Sequence, residues 1–197
     1  EDEDYGRKIA LEYAQQGFTV IVPNITSQRL VNNAISAHAY LYGYTLHGIM
    51  LQFILSCAKY LQEEEDVKHL GSVGISNGGL LALMATALST HFKFVLASGA
   101  LKSIYEISLS NPRIHDRLEY YFYFRGPFWM EFDIAPLASL VIPNILIFEV
   151  GSNDRLVKGW ESQYLQIQKN YKELGLDSRL GRVSFSGGHE FSGNQGV

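Results

Sequence analysis

One cysteine, Cys57, occurs among 197 residues, so the chain can form no intrachain disulfide and no cysteine-rich metal site. Cys57 lies in the apolar run 48–61 and is expected to be a small core residue rather than a nucleophile. Basic residues are also sparse, 16 against 20 acidic ones for a net charge of −4, and they gather in no cluster. A nucleic-acid or membrane-surface partner is therefore not expected. No apolar run reaches the roughly 20 residues of a membrane-spanning helix, and no signal-peptide pattern stands out. Low-complexity linkers and internal repeats are lacking too. His38, His47, His69, His91 and His115 show no metal-ligand spacing and are expected to be structural or exposed, so no metal is implied. What remains is a chain with 47% apolar residues, enough for one globular domain over 1–197 with a sizeable core. Compartment and oligomeric state are left open. The sequon Asn24-Ile25-Thr26 carries no weight without a secretory context.

Strand and helix patterns alternate along the chain. A helix is predicted over Tyr5–Gln16, stopped by Gly17. Phe18–Val22 ("FTVIV") reads as a buried-type strand. Leu30–Leu61 reads as mostly helical, broken near Tyr42-Gly43, and the acidic stretch Glu63–Asp66 as a solvated helix end. Strands are expected at His69–Ile75, Lys93–Ser98, Asn144–Val150 and Arg182–Ser186, with helices at Leu80–Leu88 and Glu161–Leu174. Alternation of this kind predicts an α/β fold, a doubly wound, mostly parallel sheet flanked by helices.

The segment "LGSVGISNGGLLALMATAL" (70–88) holds Gly74-Ile75-Ser76-Asn77-Gly78, a Gly-x-Ser-x-Gly pattern between a short apolar strand and an apolar helix. That context describes a nucleophile elbow, a tight strand-to-helix turn that exposes a serine above a sheet. Gly74 and Gly78 are expected to be glycine because side chains there would collide with neighbouring backbone. At the start of a helix, Ser76 meets free N–H groups and the positive end of the helix dipole. The N–H of Asn77 is then expected to be one donor of an oxyanion hole.

A serine needs a base, and the base needs an orienting acid. "GSNDRLV" places Asp154 just past the strand Asn144–Val150, and "SGGHEFSG" places His189 in a glycine-flanked loop past the last strand. Both lie at the strand C-termini, where open α/β sheets place their ligands. Glu149 and Asn153 remain as substitutes for the acid, and Asp154 also fits a plain turn residue. Tyr120–Phe132 ("YYFYFRGPFWMEF") is the most aromatic stretch, within a long connection at about 101–140. It reads either as a substrate-facing surface, with Phe128 and Trp129 as candidate contacts, or as a hydrophobic plug.

These segments, together with "ALEYAQQGFTVIVPN" and "IPNILIFEVGSNDRLV", resemble the α/β-hydrolase superfamily, more narrowly its dienelactone-hydrolase and acetyl-xylan-esterase-like branch. The order Ser76, Asp154, His189 is that of the superfamily. The resemblance implies Ser76 as nucleophile, Asp154 as acid and His189 as base of a serine hydrolase that cleaves carboxylic esters. It also implies no cofactor, a small-molecule or carbohydrate ester as substrate, and a lid-like insertion at 101–140. Dienelactone hydrolases carry a cysteine where this chain has Ser76, which favours esterase chemistry. The superfamily's first strands, the His-Gly loop with the second oxyanion donor, and a closing helix have no counterpart in the span, so the span is expected to be incomplete. "PNITSQRL" also replaces the usual Pro-Asp and Gly-rich loop. Two alternatives stay open: a peptidase or amidase of the prolyl-oligopeptidase type, and a non-catalytic scaffold of the same fold.

Overall fold

The structure, a computed structural model, describes residues 8–24, 29–63, 67–106 and 133–192. Four strands, β1 (Leu70–Ile75), β2 (Phe92–Ser98), β3 (Ile145–Gly151) and β4 (Leu180–Phe185), pair in parallel in the order β1-β2-β3-β4. Around them lie α1 (Ile9–Gln15), α2 (Arg29–Leu41), α3 (Leu46–Glu63), α4 (Asn77–Leu88), α5 (Ile134–Ser139) and α6 (Trp160–Glu173). The predicted α/β class and parallel sheet are therefore found. Register sets Ile75 opposite Ser98, Ser98 opposite Glu149, and Gly151 opposite Phe185, so the strand C-termini finish side by side at one edge.

Apolar runs without polar alternation suit strands covered on both faces. Val95 and Ala97 of β2 and Leu146 and Phe148 of β3 are fully buried. Helix α4 is apolar around its whole circumference because it too is covered on both sides. Leu80 and Leu83 join the main core with β2, β3 and α6, while Leu81 and Ala85 join a second core with Leu46, Met50 and Leu51 of α3 and with Leu70 and Phe92. Two buried hydroxyls tie β1 to this helix. Ser72 and Thr86 bond each other at 2.7 Å, and Thr86 Oγ1 also donates to the Ala82 carbonyl at 2.9 Å. A hydroxyl pair of this kind is tolerated in the core only because it is satisfied.

The break near Tyr42-Gly43 is found. Gly43 adopts φ +79°, the chain bends by 96° between α2 and α3, and Thr45 Oγ1 accepts the N–H of Gly48 to cap the new helix. No single described helix is long and apolar enough to cross a membrane. The expectation of a strand at Phe18–Val22 is not met, since the described sheet pairs only β1 to β4. Ile21 alone of this stretch packs against the second core, while Phe18 and Val22 are exposed, and an extended segment without a ladder partner is not a strand.

The connection around 101–140 begins and ends inside the core. Leu101, Ile104, Ile134, Ala135, Leu137 and Ala138 are all buried. Asp133 joins the two ends: its Oδ1 accepts the N–H groups of Ile104 (2.8 Å) and Ile134 (2.7 Å), and its Oδ2 accepts the Ser103 hydroxyl at 2.6 Å. Gln163 of α6 adds a longer bond from Nε2 to Oδ2 at 3.4 Å. The aromatic stretch with Phe128 and Trp129 lies outside the described residues, as does His115.

Candidate active site

Ser76 stands between β1 and α4 with φ +57° and ψ −119°, a conformation that an L residue adopts at a cost of roughly 1–3 kcal/mol. The positive φ expected of an elbow apex is present. Surrounding structure must hold such a residue, and two bonds do so on its own backbone: its N–H donates to the Ser98 carbonyl at 2.8 Å, and its carbonyl accepts the N–H of Leu80 at 3.0 Å. The N–H of Asn77, at the first position of α4, has no intrahelical acceptor. A Cβ on Gly74 would sit 2.2 Å from the Gly78 carbonyl oxygen, so glycine is required there. The same expectation for Gly78 is corrected. A Cβ at Gly78 meets nothing within 4 Å, and the crowded position is Gly79, whose Cβ would lie 2.9 Å from the Ser98 carbonyl.

Asp154 follows β3 in a turn closed by its own N–H to the Gly151 carbonyl, at 3.1 Å. Its side chain is 1% exposed, and both oxygens are engaged. Oδ1 accepts the Leu156 N–H at 2.8 Å, and Oδ2 accepts His189 Nδ1–H at 2.6 Å. Asp154 is thus at once a turn residue and the partner of the histidine. With Nδ1 donating to a carboxylate, the imidazole leaves Nε2 as its basic edge. The two loops meet closely because neither carries a side chain at the crossing. A Cβ on Gly151 would lie 2.2 Å from the Gly188 carbonyl, and the Asn153 N–H donates to the Gly187 carbonyl at 2.9 Å. The substitutes for the acid point elsewhere: Glu149 accepts the Ser192 hydroxyl at 2.6 Å, and Asn153 is exposed.

Three neighbours of the site were not singled out by sequence. Gly99 (φ +56°) follows β2, and a Cβ there would lie 2.7 Å from His189 Cε1 and 3.0 Å from Nδ1. The histidine ring therefore lies against the residue next to Ser98, whose carbonyl holds the elbow. Lys102, half-buried at the same sheet edge, has its ammonium pushed below the usual lysine range by burial, while the Asp154 carboxylate pulls it back up. His47, grouped above with the structural histidines, is 1% exposed and bonds the side chain of Asn77. A glycine closing a strand signals a turn but not what leans on it, and no sequence spacing links His47 to residue 77. Among the described residues, no group of three or more His, Cys, Asp or Glu is placed to hold a metal ion.

No family model and no curated protein matches the sequence. Solved structures do match the fold. The glucuronoyl esterase catalytic domain of Hypocrea jecorina is 17% identical over 87% of this chain and 56% of its own, with a TM-score of 0.65. A carbohydrate esterase family 15 glucuronoyl esterase from Caldicellulosiruptor kristjansonii is 20% identical over 74% of this chain and 46% of its own, at 0.62. A glucuronoyl esterase from Solibacter usitatus is 15% identical over 76% and 45%, at 0.61. The chain spans about half the length of these structures. In its sheet, its elbow and its order of strands and helices, the chain has the α/β-hydrolase fold of these esterases.

Proposed function

We propose that the chain carries the catalytic centre of a serine hydrolase that cleaves carboxylic esters, with Ser76 as nucleophile, His189 as base and Asp154 as its orienting acid. One observation carries this reading: a buried carboxylate holds the imidazole at 2.6 Å, at the sheet edge where the strained serine stands. His189 Nε2 takes the Ser76 proton as the hydroxyl oxygen attacks the ester carbonyl. The Asn77 N–H and the positive end of α4 stabilise the oxyanion. His189 returns the proton to the leaving alcohol, and the same base activates the water that releases the acyl group. Asp154 Oδ2 keeps its bond to Nδ1 and favours the imidazolium that forms at each step.

For the substrate, the likeness in fold to glucuronoyl esterases supports an ester of a carbohydrate. The test begins with a fluorophosphonate probe. Labelling of the wild-type chain that disappears in Ser76→Ala supports the hydrolase, and an unlabelled wild type supports the non-catalytic scaffold. Hydrolysis of p-nitrophenyl acetate without cleavage of a peptide amide then supports the esterase over the peptidase. Faster turnover of a methyl glucuronate ester than of a simple alkyl ester supports the carbohydrate assignment.

A further inference from the structure

His47 is buried in the first turn of α3, whose Leu46, Met50 and Leu51 belong to the second core. A buried polar ring in such a place costs free energy unless its hydrogen bonds are made. Its Nε2 lies 2.7 Å from Asn77 Oδ1, across 30 residues of sequence. An amide oxygen only accepts, so Nε2 carries the hydrogen and donates. The start of α3 that carries His47 is capped, Thr45 Oγ1 accepting the Gly48 N–H at 3.0 Å. Asn77 is the residue directly after Ser76, and its N–H is the oxyanion donor of the proposed mechanism.

Strained backbone persists only where its surroundings over-determine it. On the strand side, Ser76 is fixed by the bond from its own N–H to the Ser98 carbonyl. On the helix side, the next residue is fixed by His47. We infer that His47 is a positioning residue, which clamps the helix side of the elbow through Asn77 and so aims the Asn77 N–H at the oxyanion. This rests on the esterase reading, since an oxyanion forms only in that reaction.

The donor is removed by His47→Phe and kept by His47→Gln, whose terminal amide places an N–H near the position of Nε2. Asn77→Ala removes the acceptor and leaves the backbone N–H in place. Hydrolysis of p-nitrophenyl acetate, corrected for the folded fraction, is expected to show kcat lowered about 10–100-fold in His47→Phe and in Asn77→Ala. That is at or below the loss on deleting an oxyanion donor outright. KM is expected to stay within about twofold, and His47→Gln is expected to recover most of the lost kcat. A merely structural histidine would lower the melting temperature and leave kcat per folded molecule alone. If His47→Phe does not fold, Asn77→Ala decides, because it leaves the α3 core intact. Unchanged kcat in Asn77→Ala, a change confined to KM, or a folded His47→Gln no better than His47→Phe each overturns the inference while the wild type remains active. A wild type that neither hydrolyses the ester nor takes the phosphonate label removes the esterase reading, and the inference falls with it.

Discussion

Gly99→Ala is a small change with a large predicted effect. The new methyl carbon would sit 2.7 Å from His189 Cε1, where carbon atoms prefer roughly 3.5–4 Å, so the ring must retreat by about 1 Å. It cannot do so freely, because Nδ1 is bonded to Asp154 at 2.6 Å and the loop behind it is fixed by the Gly187 carbonyl to the Asn153 N–H. The φ of +56° adds a backbone cost of roughly 1–2 kcal/mol for any L side chain. For a domain of this size each kcal/mol lowers the melting temperature by about 2–4 °C. The variant is therefore expected to fold but to melt several degrees lower. Displacement of a catalytic group by about 1 Å costs on the order of 10²-fold in rate, and that loss is expected in kcat/KM for p-nitrophenyl acetate. Phosphonate labelling should slow in step, since it needs the same base. A Gly99→Ala protein with wild-type melting and wild-type turnover would refute the packing of the imidazole on Gly99.

Two further predictions test backbone space and buried charge. Gly74→Ala forces a Cβ to 2.2 Å from the Gly78 carbonyl and is expected to yield no soluble folded protein, whereas Gly78→Ala finds open space in a helix and is expected to gain up to about 1 kcal/mol in urea unfolding. Lys102 has its ammonium destabilised by burial, so the unfolded chain binds the extra proton and stability should rise as pH climbs toward the ordinary lysine value of 10.5. Lys102→Met is expected to melt higher at pH 7 and to lose that part of the pH dependence. A lower melting temperature in the variant would show that the charge is compensated in place.

Much of the fold was legible because local signals agreed with tertiary needs. The runs around Leu96 and Phe148 are too short and too apolar for surface helices, and glycines with positive φ at 17, 43 and 175 follow the ends of α1, α2 and α6. Ser76, Asp154 and His189 stand one to four residues past the C-termini of β1, β3 and β4, positions that the strand pattern predicts, and parallel strands bring those ends together. The strand at Phe18–Val22 failed because a strand is defined by a neighbour, and composition does not supply one. Gly78 was misread for Gly79 because the pattern marks where the turn is but not which face of α4 meets β2. His47 was passed over because its partner lies across a helix-to-helix contact that no periodicity encodes. The leucines and isoleucines at the two ends of the connection, Leu101, Ile104, Ile134 and Leu137, belong to the main core, which the position of the segment between two strands does not reveal.

The hydrogen bonds at Asp133 have an evolutionary consequence. One carboxylate fastens the place where the chain departs, at Ser103 and Ile104, to the place where it returns, at Ile134. With both attachment points latched, the length of what lies between is nearly neutral for the scaffold, since each doubling of a loop costs only about 0.6 kcal/mol. Insertions or deletions between these two points are therefore expected to leave the core and the serine edge in shape. Selection can change the length of the connection without renegotiating how the domain folds.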